Sequence, residues 1–142
     1  MIDVGKKEKT ERIARAGAFV ELSPEIIEKI KSNAIPKGNV LEIARVAGIM
    51  AVKKTDEIIP LCHNIEIEYA DVSFMVKQEG VEIESIVKTT AKTGVEMEAM
   101  AACSTAALTI YDMCKMFSKS IKITNIELLE KRGGKSGVYK KR

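Results

Sequence analysis

The chain has 142 residues, 46% hydrophobic and 30% charged, an ordinary composition for one globular domain that excludes a disordered or fibrous protein. Aromatic residues make up 4%, with no tryptophan, so stacking platforms for nucleic-acid bases are scarce. The net charge of +3 conceals a basic end: residues 131–142 carry six cations and no acid, leaving 17 basic against 20 acidic residues elsewhere. An anionic partner is therefore met locally.

The longest apolar stretch, Val95 to Ile110, is broken by Glu96 and Glu98, short of the roughly 20 apolar residues of a membrane span. The opening residues, Met1 to Lys7, are charged and lack the apolar run of a secretory signal. Cys62, Cys103 and Cys114 form no C-x-x-C pair, which argues against a disulfide framework and a zinc knuckle. With a single histidine the expectation is no metal site, and a cytoplasmic, reducing location.

Residues 1–16 are polar, without helical or strand period, and are expected to be mobile without ligand. Ala18 to Leu22 reads as a short strand. Ser23-Pro24-Glu25 supplies an N-cap, an N1 proline and an early acid for a helix to about Asn33. After turn chemistry at Ile35-Pro36-Lys37-Gly38-Asn39, the spacing of Val40, Ile43, Ala44, Ala47, Met50 and Ala51 predicts a second helix ending at Lys53-Lys54. Thr55 to Pro60 is a connection. Alternation from Ile65 to Val76 predicts a strand with a bulge near Ala70-Asp71, paired through a turn at Gln78-Glu79-Gly80 with Val81 to Val87. Residues 96–116, rich in Ala and Met, read as one long helix, and Ile121 to Leu129 as the last strand. The order predicts an α+β fold, a ferredoxin-like antiparallel sheet with helices on one face, as a single domain over 1–142 whose segment 131–142 is also flexible without ligand.

Individual residues carry the chemistry. His63, in Pro60-Leu61-Cys62-His63-Asn64, offers an acid, base or hydrogen-bonding group. Cys62 is not its dyad partner, because adjacent strand side chains point to opposite faces. Asp112 and Lys115, three apart on the long helix, hold a proton-transfer or ion-pair geometry. Glu96 and Glu98 sit at the start of that helix, where one acid suffices for the dipole. Glu98 lies about 21 Å from Asp112 along the axis, so either these residues mark different sites or a neighbouring subunit completes one site. The small residues of the helix permit a close subunit approach as well as tight packing on its own sheet. Gly133-Gly134-Lys135-Ser136-Gly137 imitates a phosphate loop, but Leu129 stands where a Walker pattern needs glycine. It remains a Gly-rich basic tail able to wrap phosphate oxygens.

Lys92-Thr93-Gly94-Val95-Glu96-Met97-Glu98-Ala99, Leu108 through Lys115, Ile59 through His63, and Gly133 through Gly137 together closely resemble the MoaC family of cyclic pyranopterin monophosphate synthases. Ala47-Gly48-Ile49 and Asp3-Val4 extend the resemblance over nearly the whole chain. It implies a lyase of molybdenum cofactor biosynthesis. The implied reaction converts 3′,8-cyclo-7,8-dihydro-GTP, made by a preceding radical enzyme, to cyclic pyranopterin monophosphate and pyrophosphate, without metal or organic cofactor. It implies a homohexamer, a trimer of dimers, and no nucleic-acid or membrane partner. By motif, Asp112, Lys115 and Lys37 take catalytic roles. Leu61, Cys62, His63, Met97, Glu98, Glu96, Arg12 and Lys131 take substrate-binding roles. Asn64 stands where many bacterial members have proline. The alternative is a non-catalytic protein that binds the nucleotide or pterin intermediate with the same fold.

Overall fold

A computed structural model describes all 142 residues. The elements are β1 (Thr10–Glu21), α1 (Pro24–Lys31), α2 (Val40–Val52), α3 (Thr55–Ile58), β2 (Tyr69–Lys77), β3 (Gly80–Ala91), α4 (Glu96–Cys114), β4 (Lys122–Arg132) and β5 (Tyr139–Lys140). One antiparallel sheet runs β2-β3-β1-β4-β5. Its first four strands, with helices between β1 and β2 and between β3 and β4, form the split βαβ arrangement of a ferredoxin-like fold.

The helix starts follow from their capping residues. The Ser23 hydroxyl accepts from the Ile26 amide with Pro24 in the first turn, and the Asn39 side chain accepts from the Glu42 amide at 3.1 Å, in each case satisfying an otherwise unpaired N–H. Between them, the Gly38 amide closes a turn on the Ile35 carbonyl. Pro36 fills the position that its fixed φ favours, Ile35 is buried, and Lys37 is left at the exposed corner.

The core lies between one sheet face and α2 and α4. Ala14, Ala16, Ala18 and Val20 of β1 and Val81, Ile83 and Val87 of β3 meet Ala99, Ala102, Ala106 and Ile110 of α4, all buried. Small side chains bring the backbones together: a Cβ on Gly48 of α2 would stand 2.8 Å from Val72 Cγ2 and 3.0 Å from the Ala102 carbonyl oxygen. The small-residue stripe of α4 thus serves packing within the chain. The polar atoms beneath it are satisfied, since Ser85 Oγ donates to the Ala99 carbonyl and accepts from Cys103 Sγ.

Three expectations are corrected. Residues 10–16 are not an irregular lead-in; they are the first half of β1, paired with β3 throughout and with β4 from Ile13 onward. Their inward positions are Arg12, Ala14 and Ala16, too weakly apolar to display an alternating pattern. The bulge expected near Ala70-Asp71 is absent, because β2 pairs with β3 in unbroken register from Tyr69. Ile65 and Ile67 precede the strand, so the phase change marks its start. Register shifts occur instead in the β1–β4 pair, around Arg15 to Phe19. At the C-terminal end, β4 continues to Arg132, and Tyr139–Lys140 adds a short edge strand.

Candidate active site

Two adjoining cavities open at the N-terminal end of α4. The smaller, about 230 Å³, is lined by the Leu61-Cys62-His63 segment and by Glu96, Met97 and Glu98. The larger, about 740 Å³, has an entirely polar or glycine lining. Lys6, Lys7, Arg12, Lys131 and Lys135 face it against Glu8 and Glu96, an excess of positive charge suited to a polyanion. Lys7, Thr93, Gly94 and Glu96 border both cavities.

Arg12 is the buried cation of this site, at 7% exposure. It is pinned from β1 onto the end of β3: Nε donates to the Ala91 carbonyl and Nη2 to the Lys92 carbonyl, both at 3.3 Å. Lys131, near the end of β4, pairs with Glu96 across the mouth of the larger cavity. The following turn crosses Arg12 so closely that side chains are excluded. Gly133 and Gly134 have φ of +103° and +77°, and a Cβ there would collide with the Glu11 carbonyl oxygen and the Arg12 guanidinium, respectively. Those glycines therefore serve a close backbone crossing.

Glu98 is 4% exposed. Burial pushes its carboxyl above the ordinary glutamate range, its own backbone amide opposes this, and the charges of Glu96 and Asp56 add to the rise. The Cys62 thiol is likewise pushed up, by burial first and then by Glu98 and Asp56. His63 Nε2 donates to the Ile2 carbonyl oxygen at 2.8 Å. Asn64 donates from Nδ2 to Asp56 Oδ2 at 2.9 Å, tying this segment to α3 by a bond that proline at this position lacks.

The other charged constellation lies at the opposite end of α4. Asp112 Oδ2 accepts from Lys37 Nζ at 3.0 Å and Oδ1 from Lys115 Nζ at 2.9 Å, while Lys37 also donates to the Asp112 carbonyl at 2.9 Å. These two hydrogen-bonded ammonium groups hold the Asp112 carboxyl below its ordinary range. All three side chains are solvent-exposed, Asp112 at 57%.

The geometry therefore gathers Leu61, Cys62, His63, Met97, Glu98, Glu96, Arg12 and Lys131 around the adjoining cavities. It gathers Asp112, Lys115 and Lys37 about 21 Å away along the helix. Sequence reasoning missed Ile2, Val4, Lys6 and Lys7 as cavity-lining residues. Lys6-Lys7 carried a charge signal, but no periodicity assigned the segment to a place.

The model of the MoaC family matches residues 1–134. A cyclic pyranopterin monophosphate synthase of Desulfitobacterium hafniense is 54% identical over 140 residues, 98% of this chain and 86% of that protein. Proteins of the same name from Peptoclostridium acidaminophilum and Desulfovibrio desulfuricans are 49% and 50% identical, each over 141 residues, covering 99% and 98% of this chain and 90% and 86% of theirs.

Proposed function

Because the chain belongs to the MoaC family, we propose that it carries out that family's reaction with the two residue groups described above. It is a lyase, a cyclic pyranopterin monophosphate synthase of molybdenum cofactor biosynthesis. Its substrate is 3′,8-cyclo-7,8-dihydro-GTP, supplied by a radical GTP-cyclising enzyme in the cytoplasm, and pyrophosphate is the second product.

The observation that carries the residue assignment is the pairing of a cation-rich cavity with a smaller one lined by carboxylates and apolar groups. The triphosphate lies among Arg12, Lys131 and Lys135, which neutralise the charge that develops on the leaving pyrophosphate. The ring system lies against Leu61, Met97 and Glu98. The Glu98 carboxyl, shifted by burial toward its protonated form, donates a hydrogen bond or a proton there. Asp112, kept ionised by Lys37 and Lys115, accepts protons as the purine ring opens and the pterin ring closes. Its distance from the cavities within one chain supports a site completed by a second copy, in a homohexamer built as a trimer of dimers.

The test is incubation of the purified protein with enzymatically prepared cyclised GTP intermediate, following cyclic pyranopterin monophosphate by mass spectrometry and pyrophosphate by phosphate analysis. Product from the parent chain and none from Asp112→Asn is the expected result. Tight binding of the intermediate without product makes the chain a binding homologue.

A further inference from the structure

Residues 2–7 belong to no helix or strand, yet they form a wall common to both cavities: Ile2 and Val4 line the smaller, Lys6 the larger, and Lys7 both. The segment is shaped by two local bonds, the Gly5 amide to Asp3 Oδ1 at 2.8 Å and the Lys7 amide to the Val4 carbonyl at 3.0 Å. Two further hydrogen bonds fasten it to the body. One is His63 Nε2 to the Ile2 carbonyl; the other is Lys92 Nζ to the Gly5 carbonyl at 2.9 Å. Lys92 is a fixed anchorage because its own carbonyl accepts from the buried Arg12 guanidinium. One residue of the β3–α4 loop thereby joins the innermost cation of the phosphate cavity to the outer wall.

We infer that Lys92 is a positioning residue: through Gly5 it holds residues 2–7 closed over the site and so presents Lys6 and Lys7 to the substrate's phosphates. The inference rests on the synthase reading above. A segment held by so few bonds lies at the low end of local stability. A polyanion that gains the Lys6 and Lys7 charges only in the closed arrangement draws it shut. These contacts are made to phosphate in the bound substrate as well as in the transition state, so their loss falls on KM rather than kcat.

The experiment uses the full-length protein and four variants: Lys92→Met, Lys92→Arg, a deletion of residues 2–6, and the deletion combined with Lys92→Met. Turnover of the cyclised GTP intermediate and amide hydrogen exchange over residues 2–7 are measured. Lys92→Met is expected to raise KM about tenfold with kcat nearly unchanged, in keeping with the loss of a single charge-assisted hydrogen bond, and to speed exchange in the segment. Lys92→Arg restores both. In the deletion background Lys92→Met has no further effect, because its one point of action is gone. An added loss there, or a fall in kcat at constant KM, means that Lys92 meets the substrate itself and overturns the positioning role. Unchanged exchange and unchanged KM in Lys92→Met overturn it equally. A parent chain without turnover defeats the synthase reading, whereas the exchange measurements still decide whether Lys92 fastens the segment.

Discussion

The two ends of α4 are built on opposite plans. At the N-terminal end the acids are recessed: Glu98 is 4% exposed, its carboxyl raised by burial, beside cavities walled by three other parts of the chain. At the C-terminal end Asp112 is 57% exposed and lowered by two lysines that already satisfy both carboxylate oxygens. One end has a container whose α4 acids are recessed or ion-paired, and the other has an exposed, lysine-paired carboxylate without a container. The second-copy arrangement proposed above would place that carboxylate in a container and remove the solvent that weakens the charges of Asp112 and its lysines.

The sharpest way to break this contrast is Asp112→Asn. Turnover should fall by about 10²–10⁴-fold, the range for loss of a positioned proton-transfer group. The melting temperature at neutral pH should scarcely move, because an exposed pair is screened. Wild-type turnover in a rate assay removes Asp112 from the mechanism. Mixing Asp112→Asn chains with Glu98→Ala chains tests the sharing directly: mixed oligomers should regain part of the lost activity, since some sites combine two intact halves. Absence of any recovery, with subunit exchange verified by mass spectrometry, means that each site is built within one chain.

How much of this contrast was legible beforehand depended on the kind of signal. Ser23-Pro24 and Asn39 announced helix starts because capping is local chemistry, and the long breaker-free run announced α4. The separation of Glu98 and Asp112 followed from helical rise alone. Half of β1 was illegible because Arg12, Ala14 and Ala16 carry little hydropathy, although each is buried. The burial of Glu98 and the wall formed by residues 2–7 depend on elements distant in sequence. The Lys37–Asp112 contact likewise joins residues 75 apart, and only the motif resemblance had grouped them.

Two smaller effects refine the comparison. Gly48→Ala tests whether close α2–α4 packing holds the ends of α4 in a fixed relation. Alanine favours a helix over glycine by about 1 kcal/mol, but the clash with Val72 and the Ala102 carbonyl should outweigh that and destabilise by about 1–3 kcal/mol in denaturant melts. A gain in stability would show that α2 yields easily. Glu98→Gln should alter the pH dependence of stability at the recessed end. A carboxyl whose folded pKa is raised costs stability as pH climbs from its unfolded value through its folded value. The parent chain should therefore lose melting temperature relative to Glu98→Gln over that interval and match it below. Asp112 has the reverse sign: its small contribution is present above its unfolded value and lost as pH falls through the folded one. Parallel melting curves for the Glu98 pair across pH would mean that this carboxyl is not desolvated.

The crossing of Arg12 by the Gly133-Gly134 backbone also constrains how far this enzyme's sequence can drift. At both positions every other amino acid meets a double obstacle, an unfavourable left-handed backbone and an atom already occupying the place of Cβ, whereas Gly137, at φ +70°, has open space around it. A saturation library over the tail should therefore return survivors in which 137 has changed to asparagine or aspartate, while 133 and 134 stay glycine in every active clone. This buried arginine and the glycine pair above it should therefore tolerate change only together.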